Sequence, residues 1–248
     1  MIYTAWLLLA VAFVYLSVIR KSLTPPAALT AVSLGAIVIA THGTPWLLPL
    51  FTFFGSSTLI GRLLPVEADA GDSKDRQPRD VVQVLCNGGV YGFVALLGLP
   101  PILLLVSMAV ATSDTWASEI GKYIRQPTYD ILRWRRVPPG LSGGISWSGT
   151  GGGAAGAALI ATLGFLLLPA FSATEYLVVS GFGFLGMLVD SVLGAALQAR
   201  YDNGPAAGLS DTPLPHGHLA HGLSWMTNDL VNLLSIALVT LLAYLVLP

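Results

Sequence analysis

Charge is scarce in this sequence. Only 10% of its 248 residues are Asp, Glu, Lys or Arg, against about 25% in an ordinary soluble domain, which excludes a water-soluble globule. The two signs nearly cancel, with 12 Lys and Arg against 13 Asp and Glu for a net charge of -1. No basic excess exists to neutralise a nucleic-acid backbone, so nucleic acid is excluded as a partner. Cysteine is nearly absent. Cys86 stands alone, which rules out an intramolecular disulfide and an all-thiolate zinc site. What the chain has in abundance is apolar sequence, 54% of its residues. At about 20 residues per crossing, that is enough for eight membrane spans. The expected fold class is an all-α, polytopic integral membrane helix bundle embedded in a lipid bilayer.

Apolar runs with few charges place the spans near Ile2–Ile19, Pro25–Thr41, Trp46–Leu64, Val81–Leu99, Ile102–Ile120, Gly149–Leu168, Tyr176–Ala199 and Trp225–Leu247. Together they form a single membrane domain over residues 1–248, without an internal repeat. The first run has no basic residue before it and Arg20–Lys21 directly behind it, the reverse of a secretory signal peptide, so it is expected to remain as an anchor. Gly98 followed by Pro100–Pro101 is a turn signature that divides the fourth run from the fifth. All the Lys and Arg residues fall on odd-numbered loops: Arg20 and Lys21; Arg62, Lys74, Arg76 and Arg79; Lys122, Arg125, Arg133, Arg135 and Arg136; then Arg200. Because loop Lys and Arg set orientation, those loops are expected in the cytoplasm and both termini outside.

An acidic side chain in hydrocarbon is costly unless paired or hydrated, which makes Asp114, Glu119, Asp190 and Asp229 functional candidates. Under this topology they gather in the cytoplasmic half. So do the amides Asn228 and Asn232 at the start of the last span. Asp80, Gln83, Asn87 and Tyr91 follow at three- and four-residue spacing, a polar stripe on one face of the fourth. Each has a plainer reading. Asp190 and the asparagines can tie packed helices together, and Asp229 can serve a helix start. Acids and amides from four helices at one depth argue for a shared site.

Residues 138–156 read PPGLSGGISWSGTGGGAAG, rich in glycine and hydroxyls ahead of an apolar helix. Such a segment can aim backbone N–H groups at a phosphate, through Ser142, Gly143, Gly144 and Ser146, or it can be a flexible loop followed by small-residue helix packing. It lacks the Gly-Lys-Ser/Thr of a Walker A loop. Arg62, Arg79, Lys122 and Arg125 stand near it, although juxtamembrane basic residues also serve topology and lipid headgroups. His216, His218 and His221 have spacing that zinc can use, but the Gly and Pro around them point to a linker. Trp116, Trp134, Trp147 and Trp225 read as interfacial anchors.

Five runs in this order carry a resemblance: QVLCNGG at 83–89, SDTWASEIG at 113–121, PGLSGGIS at 139–146, DSVLGAALQ at 190–198 and NDLVNLLS at 228–235. They are similar to the motifs of a polytopic membrane protein family that includes plant phytyl-phosphate kinase and an animal transmembrane relative of unclear function. The resemblance covers roughly Phe51 to Ser235, and Asp114-Thr-Trp-Ala-Ser-Glu119-Ile-Gly is its most specific piece. It implies a kinase that converts a prenyl monophosphate to the diphosphate using a nucleoside triphosphate, CTP being the donor associated with the plant enzyme. Two departures bear on the carry-over. The chain lacks the plant enzyme's plastid transit peptide, pointing to a prokaryotic plasma membrane and making phytyl phosphate one candidate among polyprenyl phosphates. Its histidine loop has no cysteine, which removes any thiolate metal site there.

Phosphoryl transfer relies on charge compensation and in-line positioning, usually by Mg²⁺ on carboxylates together with N–H, Lys or Arg donors. Asp114, Glu119, Asp190 and Asp229 are the expected metal and catalytic carboxylates. The glycine-rich segment and Lys122 are expected on the donor phosphates, Arg62 or Arg79 on the acceptor phosphate, and Gln83, Asn87, Asn228 and Asn232 around them. A phosphate monoester, with a second pKa near 6, is already an anionic nucleophile, so no dedicated base is needed. The rival expectation is an ion-coupled secondary transporter or channel with a cytoplasm-facing acidic site. Against it stand the missing repeat and the one-sided clustering. A prenyltransferase or CDP-alcohol transferase would hold metal through aspartates three or four apart on one helix, and no span carries such a pair. A noncatalytic scaffold, the prenyl chain length, the nucleotide base and the oligomeric state are left open by the sequence.

Overall fold

The computed structural model describes residues 2–64, 77–204 and 208–247. Its helices follow the apolar runs: α1 (Ile2–Ile19), α2 (Pro25–His42), α3 (Leu47–Leu63), α4 (Val81–Leu96), α5 (Pro101–Ile124), α6 (Trp147–Thr162), a short continuation α7 (Gly164–Leu167), α8 (Ala173–Leu197) and α9 (Asn228–Val246). Among the described residues, five stretches are long and apolar enough to cross a membrane unaided: Pro25–His42, Pro101–Ile124, Trp147–Leu167, Ala173–Leu197 and Asn228–Val246. The expected eight spans thus become five by this measure. The reason is length: α3 and α4 have 17 and 16 residues, short of the roughly 20 that a perpendicular crossing takes, and α1 contributes the apolar stretch Leu8–Ile19.

Local chemistry sets the helix ends. Thr24 caps α2, whose first turn opens on Pro25–Pro26, where the missing N–H groups cost nothing. Asp80 and Gln83 form a reciprocal capping box at the start of α4, and Ser172 with Glu175 does the same for α8. Glu175, the acid at the pole away from the basic loops, is thereby engaged in capping. Gly98 takes a positive φ of 61° before Pro100, the turn that separates α4 from α5.

Helix α5 is the central post. Leu103 through Ser113 are buried without interruption, because α6, α8, α9, α3 and α4 all pack on it. The α5–α6 seam is glycine-lined. A Cβ on Gly152 or Gly156 would approach the backbone oxygens of Trp116 and Thr112 to 3.1 and 2.9 Å, and one on Gly153 would strike Met187 Sδ. From Trp147 onward the glycine-rich segment is helix, starting two residues before the expected span at Gly149, and its glycines let α5 and α6 approach, which is the small-residue packing offered as the alternative reading.

A purely helical fold class needs a second correction. Two miniature antiparallel sheets sit in the basic loops: β1 (Thr128–Asp130), β2 (Arg136–Val137) and β3 (Gly144–Ile145) in the order β2-β1-β3, and β4 (Arg200–Asp202), β5 (Leu209–Ser210) and β6 (His218–His221) in the order β5-β4-β6. They lie at the pole where α5 and α8 end and α6 and α9 begin. The described Lys and Arg residues all belong to this pole; Lys74 and Arg76 lie outside the described residues. Trp134, Trp147 and Trp225 are 72%, 88% and 62% exposed here, as interfacial anchors would be. Trp116 is instead turned inward, its indole N–H donating to Ser56 Oγ at 3.1 Å.

Candidate functional site

A cavity of about 1040 Å³ opens at this basic pole and runs inward between the helices. Its two parts differ in chemistry. The chamber nearest the sheets is walled by polar residues of α4, α5, α8 and α9, and an apolar arm continues from it between α1, α2 and α3.

Asp114 and Asp190 form the chamber's deep wall. Their carboxyl groups, from α5 and α8, are hydrogen-bonded to each other. Two carboxylates in such contact repel unless a proton or a cation lies between them. Helix α9 fixes the pair: Ser235 Oγ donates to Asp190 Oδ2 at 3.1 Å, and the Asn232 amide, oriented with Nδ2 toward its acceptors, donates to the same oxygen at 3.1 Å and to Asn228 O at 3.1 Å. Asn232, expected to touch substrate, holds a carboxylate while lining the cavity.

Cations face these acids. Lys122, about two turns beyond Asp114 on α5, lines the cavity, exerts its charge on Asp114 and lies against Gly140. Arg79 enters from the start of α4. Its guanidinium lies 5.9 and 5.8 Å from the ring centroids of Phe53 and Phe54, and its backbone is pinned by Arg79 N–H to Ser22 O (3.1 Å) and Thr24 N–H to Arg79 O (3.0 Å). Arg79 thus stands where the polar chamber meets the apolar arm. Glu119, which acts electrostatically on Arg79, and Asp229, buried in the first turn of α9, line the same cavity. So do Gln83, Asn87 and Asn228, although the Gln83 amide is engaged in capping and Asn87 Nδ2 donates to Gln83 O at 3.0 Å.

The segment from Ser142 to Ser146 roofs the chamber, but not as an open nest of N–H groups. Ser142 N–H donates to Asp211 Oδ2 (3.0 Å), Gly144 N–H to Leu141 O (3.0 Å) and Gly149 N–H to Ser146 Oγ (3.2 Å). Ser142 is held from two further directions, its Oγ donating to Gln198 Oε1 at 2.7 Å and its carbonyl accepting from Arg200 Nη2 at 2.6 Å. Arg200 also donates from Nη1 to Asp130 Oδ2 at 2.8 Å. Burial acts to raise the Asp130 pKa, but the Arg200 hydrogen bond and the N–H groups of Arg133 and Leu132 outweigh it and hold the carboxyl below its ordinary range. Gln198, Arg200, Asp130 and Asp211 were not candidates in the sequence. Gln198 ended a motif run, a signal that was there to be read; Asp130 and Arg200 are 70 residues apart and gave none.

One expected participant lies elsewhere. Arg62 Nη2 donates to Arg20 O and Ser22 Oγ, both at 3.0 Å, and does not line the cavity, because α3 ends facing the α1–α2 turn. His216 is exposed and His221 Nε2 contacts Ala195 O and Arg133 Nη2. Among the described residues no three His, Cys, Asp or Glu groups gather as a metal cluster. The four acids expected to share one metal therefore form a contacting pair, Asp114 and Asp190, with Glu119 and Asp229 apart on the wall. A pair is chemically sufficient for Mg²⁺, which is commonly bound by one or two carboxylates with substrate phosphates and water completing its shell.

Over residues 8–240 the sequence matches the integral membrane protein family DUF92. The chain belongs to that family. It is 30% identical to an uncharacterised membrane protein of Methanocaldococcus jannaschii over 67% of this chain and 71% of that one. It is 26% identical to an uncharacterised membrane protein of Synechocystis over 86% of this chain and 78% of that one. It is 25% identical to the chloroplastic protein VTE6 of Arabidopsis thaliana over 86% of this chain and 61% of the plant protein. No solved structure matches it. The resemblance carried by the motif runs is thus borne out at the level of the family, and with it a multi-pass integral membrane protein.

Proposed function

We propose that this DUF92 protein is a prenyl-phosphate kinase, transferring a phosphoryl group from a nucleoside triphosphate, with CTP favoured, to a phytyl or polyprenyl monophosphate. The observation that carries this reading is the two-part cavity, whose charged chamber suits phosphates and whose apolar arm suits a hydrocarbon tail. The motif resemblance points the same way. By the positive-inside rule the basic pole faces the cytoplasm, where nucleotides are, with both termini outside and the protein in the inner membrane of a prokaryote.

In this reading Arg79, at the junction of chamber and arm, binds the acceptor phosphate, and Lys122 beneath the Ser142–Ser146 roof binds the donor. An oxygen of the monophosphate attacks the terminal phosphorus of the nucleotide. A new P–O bond forms as the bond to the bridging oxygen breaks, and the nucleoside diphosphate leaves with that electron pair. The acceptor is already anionic, so no side chain has to remove a proton. Asp114 and Asp190 would hold Mg²⁺, which when bound supplies compensation for charge spread over the transferring group. Ser235 and Asn232 keep Asp190 oriented for that role.

The test is product formation by detergent-purified protein given Mg²⁺, a nucleotide panel and prenyl monophosphates, followed by chromatography. Asp114→Asn and Asp190→Asn, purified folded, are each expected to lower turnover by about 100-fold or more, as loss of a group stabilising transition-state charge does. Full Mg²⁺-dependent turnover in both would end the assignment. Solute uptake by proteoliposomes without nucleotide would mark a carrier instead.

A further inference from the structure

Helix α1 borders the cavity but packs chiefly on α2, apart from the helices that carry the charged chamber. Leu9, Phe13 and Leu16, at three- and four-residue spacing on one face of α1, line the apolar arm, and Leu50, Phe51 and Phe54 of α3 line it from the other side. Three of these six, Leu9, Leu16 and Phe51, are also about half exposed or more. Side chains that belong both to a cavity wall and to the accessible surface of peripheral helices stand at an opening. The arm is open sideways, between α1 and α3, at the depth of their apolar stretches.

What spans this slot is aromatic. Phe13 meets Phe51 and Phe54 edge-on, with ring centroids 5.8 and 5.7 Å apart. Such ring contacts are individually weak, and in hydrocarbon a lipid chain replaces them without exposing either ring to water. At the basic pole polar bonds tie α3 to the turn after α1 instead, Arg62 donating to Arg20 O and Ser22 Oγ at 3.0 Å. The slot is fixed at its polar end and held only by rings farther in. Those rings also lead to the site. Phe54, 5.7 Å from Phe13 on one side, lies 5.8 Å from the Arg79 guanidinium on the other. A cation stands at the inner end of an apolar slot that begins at the bilayer.

We propose that the α1–α3 slot is a lateral portal through which a lipid monophosphate passes from the bilayer to Arg79, with Phe13 as its latch. The phosphate keeps to the basic pole, where Arg62 and Arg79 both stand, while the tail stays in hydrocarbon throughout. Entry through the charged chamber would carry each methylene group through water, at a cost that grows with tail length. Because the tail only exchanges one apolar surrounding for another, the affinity resides in the phosphate and its complement, Arg79. That the lipid is a prenyl monophosphate rests on the kinase reading; the route rests on the slot.

The experiment uses the full chain in liposomes without nucleotide and three photoreactive probes: a diazirine-tailed geranylgeranyl monophosphate, the matching alcohol and a diazirine phosphatidylcholine. Phe13→Cys with Phe51→Cys, in a Cys86→Ser background, lets a bifunctional thiol reagent lock the slot and a reductant release it. In the unlocked protein the monophosphate is expected to label the arm saturably, and the alcohol and the phospholipid without saturation. Locking before the probe is added is expected to lower the saturable labelling by about tenfold or more, as closing a gate does, with recovery on reduction. Arg79→Gln, with the slot unlocked, is expected to weaken it by about tenfold through loss of a charge-assisted contact. Should the cysteine pair not fold, Ala12→Trp, at an exposed position of the same α1 face, narrows the slot and slows labelling in its place. Saturable labelling that neither closure slows overturns the portal, as does equal labelling by all three probes, which would mark ordinary lipid contact. Closure-sensitive labelling with no diphosphate from any nucleotide upholds the portal and removes the kinase reading. Diphosphate made at full rate from membrane-embedded monophosphate by the closed protein does the reverse.

Discussion

Replacing Arg200 by methionine tests whether the two small sheets hold the cavity roof in place. Arg200 and Asp130 have side chains only 6% and 2% exposed and meet at 2.8 Å. Removing one member of a buried ion pair ordinarily costs about 3–5 kcal/mol, because the other charge is left without compensation. Asp130 retains N–H bonds from Leu132 and Arg133 and the Arg133 guanidinium at 3.3 Å, which puts the loss near the lower end. The Ser142 carbonyl also loses its 2.6 Å donor, worth about 1 kcal/mol. The sum is about 4 kcal/mol, or an apparent Tm lower by roughly 8–16 °C for a chain of this size. The pH dependence has a definite sign. The folded pKa of Asp130 is depressed, so its stabilisation is present above the unfolded value near 3.9 and is lost as pH falls through the folded value. The gap between wild type and variant is therefore widest near neutrality and narrows below about pH 4. Thermal unfolding in detergent, followed by tryptophan fluorescence at pH 7 and about pH 2, below the unfolded value, measures both. In the kinase assay the variant should raise the KM for nucleotide more than that for the lipid, because the roof it loosens borders the chamber rather than the arm. A Tm within 1 °C of wild type at pH 7, or a gap that does not close in acid, would refute the reasoning.

The glycine seam makes a paired prediction: Gly153→Ala overpacks α6 against Met187 of α8 and, less severely, Ser113 of α5, and costs about 1–3 kcal/mol, whereas Gly151→Ala, with nothing within 4 Å, is neutral or stabilising by up to about 1 kcal/mol. Equal melting temperatures for the two would show that the seam is looser than the structure has it. Tyr91→Phe deletes the 2.6 Å hydrogen bond to Trp46 O, the link from α4 to the turn before α3. It is expected to lower stability by about 1–3 kcal/mol, read as a lower melting temperature in detergent, and an unchanged melting temperature would refute it.

The helices were legible because their signals are local. The apolar runs, the Thr24 and Asp80 caps and the Gly98–Pro100 turn act over a few residues, and α1, α2 and α4 begin where those signals put them. Spans were harder to count, since α3 and α4 are apolar enough but short. The strands escaped notice: pieces of two to four residues have no measurable period and exist because other pieces pair with them. The glycine run reads two ways because glycine favours loops by conformational freedom and helix seams by small size, and only the presence of α5 alongside decides between the two.

By itself the sequence determined a bilayer protein with its basic residues at one pole and polar groups of several helices at a common depth, since hydropathy and helical period are properties of the chain alone. Which of those groups meet was decided by the tertiary structure. Arg62 and Arg79 read alike as basic residues of one loop, yet of the two only Arg79 reaches the cavity; four acids read alike, yet among the described residues no three of them gather, and Asp114 meets Asp190. Contact between residues far apart in sequence depends on which helix faces pack together, and that choice is made by the whole bundle at once.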